Sequence, residues 1–194
     1  MFVLLWSTGF VVARYGTDDA GPFTFLSLRL AIASVMLAVV ATVTRAPRIS
    51  MAQAKWAALS GVGMHALYLG GVFLAISWGM PSGVSALIAG LHPVVTSVNA
   101  SWLLRERLNR LQWVGVGLGF AGVLVVVIDH LANASAGVTV GTLICSAVSI
   151  GGMSMGTLVQ RRRGSSMPLL WGTVTQYAAS TAVLSVALIA YEGW

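Results

Sequence analysis

Apolar positions along this chain fall into long uninterrupted runs separated by short polar or basic connections. Neither the strand period of two nor a one-sided helical stripe organises them. Reading from charge to charge gives seven runs: Phe2–Ala13, Phe23–Thr44, Trp56–Trp78, Ser82–Leu104, Leu111–Ile128, Val138–Val159 and Leu169–Ala190. A helix needs about 20 apolar residues to cross a hydrocarbon core, and six runs are long enough. The first has only twelve residues before Arg14, which predicts that the chain begins upstream of Met1. The expected fold is an all-α integral membrane protein of seven transmembrane helices. Pro22 and Pro81 open the second and fourth spans, where a missing N–H leaves no extra donor unpaired.

Composition removes the soluble alternative. Charged residues make up 8% of the chain and hydrophobic ones 57%, at a mean hydropathy of +0.88. A soluble domain carries about 25% charged residues to solvate its surface. The net charge of +6 does not form a nucleic-acid-binding face, because the basic residues sit in clusters between apolar runs. No loop is long enough to hold a soluble catalytic domain. The single cysteine, Cys145, excludes an intramolecular disulfide, and no Cys/His cluster has metal-ligand spacing. No cofactor is expected, and the partners are the lipid bilayer and a small-molecule substrate.

The charges set an orientation. Connections after spans two, four and six hold Arg45, Arg48, Lys55, Arg105, Arg107, Arg110, Arg161, Arg162 and Arg163; those after spans one, three and five hold Arg14 alone. Basic loops stay cytoplasmic, so the N-terminus is expected in the cytoplasm of a multi-pass protein. The pattern of span, basic residue, proline and long span recurs from Arg14 and Pro22 to Arg161–Arg163 and Pro168, about 146 residues on. A five-span unit repeated once is odd in number, so its second copy enters the membrane inverted.

Two soluble-enzyme patterns fall inside spans. Gly117 to Gly122 fits the dinucleotide fingerprint, but that motif needs a preceding strand and a helix opening at the glycines. In span five, Gly115, Gly119 and Gly122 read instead as a close-packing face. Gly152-Met153-Ser154-Met155-Gly156 fits the nucleophile elbow, which requires a strand-to-helix turn. In span six it reads as a small-residue packing patch. An intramembrane serine hydrolase would need His65 or His92 beside Ser154.

Span four carries Ser82, Ser85, His92, Thr96 and Asn99 within about a third of the helix circumference. A polar stripe facing lipid is costly, so it faces protein or a water-filled cavity. Pro93 predicts a bend and a freed carbonyl near Ala89. In span three, His65 and Tyr68 are one turn apart among glycines, and could line a pocket or fill one. Trp6, Ser7 and Thr8 in span one are similarly ambiguous. Every acid lies at a span end or in a loop, and Arg29 alone is charged within a span, at a depth from which it can snorkel to the interface.

The order Leu91-His92-Pro93, Leu103-Leu104-Arg105-Glu106-Arg107-Leu108, Gln112-Trp113-Val114-Gly115 and Gly119-Phe120-Ala121-Gly122-Val123 resembles the EamA-type drug/metabolite transporter superfamily. Leu5-Trp6-Ser7-Thr8-Gly9-Phe10 and Leu28-Arg29-Leu30 resemble its first two helices. The resemblance implies ten helices in two inverted five-helix repeats around a metabolite cavity. It divides the chain into a first repeat, 1–128, an extracytoplasmic linker, 129–137, and the first two helices of the second repeat, 138–194, with three helices missing. It implies alternating-access transport of amino acids, related metabolites or drugs across the cell (inner) membrane, without catalytic residues. The candidate substrate-binding residues are Trp6, His65, Tyr68, His92 and Asn99. His92 and Asn99 would hydrogen-bond the substrate, and Trp6 and Tyr68 would pack on its apolar part. The rival reading is a non-transporting membrane module assembling through its Gly-rich helices, which also allow a homo-oligomer.

Overall fold

The computed structural model describes Thr8, Val11 and residues 21–103, 108–132, 137–164 and 166–193. The expected first span, Phe2–Ala13, lies almost wholly outside the described residues. Six helices long and apolar enough to cross a membrane follow: α1 (Pro22–Val43), α2 (Met51–Ser77), α3 (Ser82–Leu103), α4 (Arg110–Ala132), α5 (Val140–Arg163) and α6 (Leu169–Tyr191). They correspond to expected spans two to seven. Among the described residues there is no strand.

Charged residues extend three helices past the apolar runs, and α4, expected over Leu111–Ile128, takes in Arg110 and Asp129 and ends at Ala132. α2 begins at Met51 because the Ser50 side chain accepts the Gln53 N–H while the Gln53 side chain accepts the Ser50 N–H. This reciprocal cap satisfies two donors that a helix start otherwise leaves free. Lys55 therefore lies in the first turns of the helix and not before it. α5 runs to Arg163 with Arg161, Arg162 and Arg163 in its last turn, where cations complement the helix dipole.

Two helices are irregular inside. α3 breaks at Gly90 and Leu91, the turn before Pro93, because proline offers no N–H to the Ala89 carbonyl. The bend expected from Pro93 is there. In α2, Val62–Leu67 forms a π-helical stretch, with the Tyr68 N–H bonded to the Gly63 carbonyl. A π segment inserts an extra residue into a turn and often marks a functional position; this one carries His65.

Interhelical bonds fix the packing directions. α1 and α6 are antiparallel: the Phe23 N–H donates to the Glu192 carboxylate (2.6 Å) and Ser34 Oγ to the Val174 carbonyl (3.2 Å). α2 and α5 are antiparallel too, with Ser60 Oγ donating to the Gly156 carbonyl (2.9 Å) and Ser149 Oγ to the Tyr68 carbonyl (2.6 Å). α2 and α6 run parallel: Gln53 Nε2 donates to the Ser166 carbonyl (2.9 Å) and Trp78 Nε1 to the Tyr191 hydroxyl (2.6 Å). The second half of α3 lies on α5, whereas α4 meets chiefly the first half of α3 and is the least buried helix.

Arg45, Arg48, Lys55 and Arg161–Arg163 thereby gather at one end, where Arg163 also stacks over Trp56 at 4.8 Å. At the other end the loops touch: Gly79 and Gly137, with φ of 92° and 93°, approach so closely that a Cβ on Gly137 would meet the Gly79 carbonyl. Only glycine combines those dihedrals with that approach.

Apolar packing forms two clusters. One joins Phe23, Leu26 and Leu30 of α1 to Tyr68, Val72 and Phe73 of α2 and Leu184 of α6. The other joins Ala75, Met80, Val84, Ile88 and Leu91 to Val138 and Ile150. Between α2 and α5 the helices touch through small residues. A Cβ on Gly63 would stand 2.6 Å from the Gly152 carbonyl oxygen, and one on Gly156 2.7 Å from the Ser60 carbonyl. The small-residue reading of Gly152 and Gly156 holds. That of Gly115, Gly119 and Gly122 finds no such neighbour among the described residues: Gly115 and Gly122 have none of them within 4 Å, and Gly119 has only loose contacts with Val94 and Leu91.

Candidate functional site

Two polar seams cross the apolar interior, one on each side of α5. The first lies between α3 and α5. The helical period sets His92, Thr96 and Asn99 on one face, and the structure turns that face onto α5. Asn99 Nδ2 donates to Ser154 Oγ at 2.9 Å, and His92 Nε2 lies 3.4 Å from Thr157 Oγ1. Between them, Thr96 Oγ1 is buried with no hydrogen-bond partner among the described residues. Higher on the same stripe, Ser85 faces Ser146 and Ser149 across a narrow recess shared with Val72 and Ile150.

The second seam lies between α2, α5 and α6. Ser60 Oγ is 2.9 Å from Gln160 Oε1, which also accepts from Gln176 Nε2 at 2.6 Å. A Cβ on Gly61 would stand 2.5 Å from the Gln176 Cα, so the glycine lets the two helices close around this group. His65 packs edge-on against Tyr177, with ring centroids 4.8 Å apart, and Gln176 is in hydrogen-bonding reach of it. Amides in an apolar medium cost several kcal/mol unless paired. Here the buried Gln176 amide donates to the Gln160 side-chain oxygen.

The expected site residues are thus divided. His92 and Asn99 share the first seam, and His65 lies in the second. Tyr68 is 5% exposed inside the apolar cluster of α1 and α2, in neither seam. Trp6 lies outside the described residues. Ser154 is fully buried within a continuous helix, and its hydrogen bond comes from an amide and not from an imidazole. Gln160, Gln176, Tyr177 and Thr157 were not singled out by sequence reasoning. The available signal was the position of Gln176 in the middle of an apolar run, where an unpaired amide would not be tolerated.

Two larger cavities are present, the first sharing Ile88, Ser146 and Ile150 with the recess beside Ser85. One of about 520 Å³ is apolar and bounded by Ile88 and Leu91 of α3, Phe120 and Leu124 of α4, and Leu143 and Ile150 of α5. Another of about 320 Å³ opens at the basic end beside Arg45, Arg48 and Trp171.

The sequence model of the EamA-like transporter family matches residues 1–128, and the chain belongs to that family. It is similar to an "Uncharacterized transporter" of Archaeoglobus fulgidus, 27% identical over 68% of this chain and 46% of that protein. It is similar to a "Probable amino-acid metabolite efflux pump" of Escherichia coli, 29% identical over 68% of this chain and 42% of that protein. It is also similar to the "Uncharacterized inner membrane transporter YedA" of Escherichia coli, 22% identical over 97% of this chain and 60% of the relative. The chain therefore spans about half the length of the curated relatives it matches. No solved structure matches it significantly.

Proposed function

From membership in the EamA-like transporter family, we propose that this multi-pass membrane chain is part of a transporter of small metabolites. Its substrate binds at the boundary between two inverted repeats. Residues 1–128 form the first repeat of five spans, 129–137 an extracytoplasmic linker whose first residues, Asp129 to Ala132, complete α4, and 138–194 the first two helices of the second repeat. The basic end, with Arg45, Lys55 and Arg161–Arg163, faces the cytoplasm.

One observation carries this reading. His65, His92 and Asn99, chosen from the first repeat, each meet a partner from the second: Tyr177, Thr157 and Ser154. A substrate inserted along the seam between α3 and α5 exchanges the bonds of His92 and Asn99 for its own, at little net change in paired polar groups. The antiparallel pairing of α1 with α6 adds support. Equivalent spans of two inverted repeats run in opposite directions, and those at the pseudo-two-fold axis pack on each other. Moving one repeat against the other then opens the seam to alternate sides.

The relatives named for amino-acid metabolites favour amino acids as the first substrates to try. The test is uptake and efflux of an amino-acid and metabolite panel in vesicles carrying the full-length protein. Movement of at least one compound above empty vesicles is expected. No movement, with the protein shown to be inserted and folded, overturns the transport reading.

A specific observation also bears on the assembly reading. Among the described residues nothing covers Gly115, Gly117 and Gly122 of α4, a surface that suits a further helix of this protein or of a second copy.

A further inference from the structure

The two ends of the α1–α6 pair differ. At the acidic end Glu192 of α6 reaches the first N–H groups of α1. At the basic end the helices leave the 320 Å³ recess lined by Ala41, Thr42, Arg45, Ala46, Arg48 and Trp171. Neither guanidinium, of Arg45 or of Arg48, has an ion pair or hydrogen bond among the described residues. The recess lies where α1 ends beside Trp171 in the first turn of α6, and aromatic residues at span ends mark the level of lipid headgroups.

Arg45 is placed there at a conformational cost. α1 closes with the Ala46 N–H on the Ala41 carbonyl (2.9 Å) and the Arg45 N–H on the Thr42 carbonyl (3.1 Å). That pattern puts one residue in the left-handed region, where glycine is the usual occupant. α2 closes in the same way, with the Met80 N–H on the Ala75 carbonyl, and uses Gly79. α1 uses Arg45, at φ 51°, the one residue other than glycine with positive φ among those described. A strained residue that a simpler one could replace points to a task for its side chain.

We propose that Arg45 and Arg48 form a phosphate-binding recess, closed on one side by Trp171, that takes the phosphodiester of an anionic phospholipid. Guanidinium pairs bind phosphate through parallel N–H donors. The recess is open to the headgroup layer, and its apolar floor at Ala41 and Ala46 accommodates the glycerol backbone. This assignment requires only that the protein sits in a bilayer, and it stands whether or not the chain transports anything.

The test is lipid retention by the purified full-length protein, read by native mass spectrometry after exchange into mixtures of phosphatidylglycerol and phosphatidylcholine. The wild type should retain phosphatidylglycerol preferentially. Each of Arg45→Gln and Arg48→Gln should weaken that retention about fivefold, from about 1 kcal/mol per basic residue at a membrane surface. Arg110→Gln with Arg162→Gln removes the same charge from the same end, and should change retention less than twofold. Arg45→Gly separates the binding role from a structural one: it should raise thermal stability while lowering retention as Arg45→Gln does. Inorganic phosphate that displaces the lipid at millimolar concentration would keep the phosphate site and make a soluble anion its source. Unchanged retention in the Arg45/Arg48 double variant, or an equal loss in the Arg110/Arg162 control, would overturn the proposal.

Discussion

The start of α1 is capped by a residue 168 or more positions away, and this makes a sharp test of the packing. Glu192 accepts from the Phe23 N–H at 2.6 Å, the Thr24 N–H at 3.0 Å and Thr24 Oγ1 at 2.6 Å. Gly21, at the N-cap, supplies no side-chain cap of its own. Removing an N-cap acceptor costs about 1 kcal/mol, and losing a negative charge at a helix N-terminus a further 0.3–1 or so. Glu192→Ala should therefore destabilise by about 1–2 kcal/mol, a fall in Tm of about 2–8 °C at this size. Gly21 has φ −56°, which any residue adopts, yet a Cβ there would collide with the Glu192 carboxylate. Gly21→Ala should thus destabilise in the wild type by displacing the cap. In the Glu192→Ala background the collision is gone, and alanine restricts the unfolded chain, so the same change should be neutral or stabilising by about 0.4–1 kcal/mol. Thermal unfolding of the four proteins in one detergent measures the cycle. Additive losses from the two substitutions would refute the cross-helix cap.

Other consequences are simpler. Gly63→Ala drives a methyl into the Gly152 carbonyl and should cost about 1–3 kcal/mol, read as loss of the monodisperse folded fraction in size-exclusion chromatography. Gly151→Ala, with open space around it, should leave that fraction unchanged. A double-mutant cycle of Asn99→Ala and Ser154→Ala should return a coupling of about 0.6 kcal/mol, and under 2, as interhelical hydrogen bonds in membranes do; zero coupling would remove the bond. If the basic end faces the cytoplasm as proposed, Ser166→Cys in a Cys145→Ala background should react with an impermeant maleimide only after cells are permeabilised; labelling in intact cells would reverse the orientation.

Much of this was legible because lipid imposes a simple rule: a span must be apolar along its length, and its backbone must satisfy itself. That rule located six helices to within a few residues. The errors fall where charges belong to helix ends, as with Lys55 after the Ser50 cap and Arg161–Arg163 closing α5. Pro93 announced its break because the missing N–H acts locally. The His92–Thr96–Asn99 face followed from helical period. Its partners Ser154 and Thr157 did not, since they lie over fifty residues away and depend on how α3 crosses α5. The π stretch at Val62–Leu67 left no mark in composition, so the one-turn spacing of His65 and Tyr68 gave no warning of it. The glycines of α4 show the opposite failure. Their spacing is that of a packing face, but packing needs a neighbour, and none of the described helices supplies one.

The central claim is that substrate occupies the seam between α3 and α5. With a transported compound in hand from the vesicle panel, the direct measurement is alkylation of the His92→Cys thiol in a Cys145→Ala background, with and without that compound. The account predicts that saturating substrate slows the reaction severalfold, while a compound that is not transported leaves it unchanged. An alkylation rate indifferent to the transported substrate, in a variant that still carries it, would place the binding site away from His92 and contradict the account.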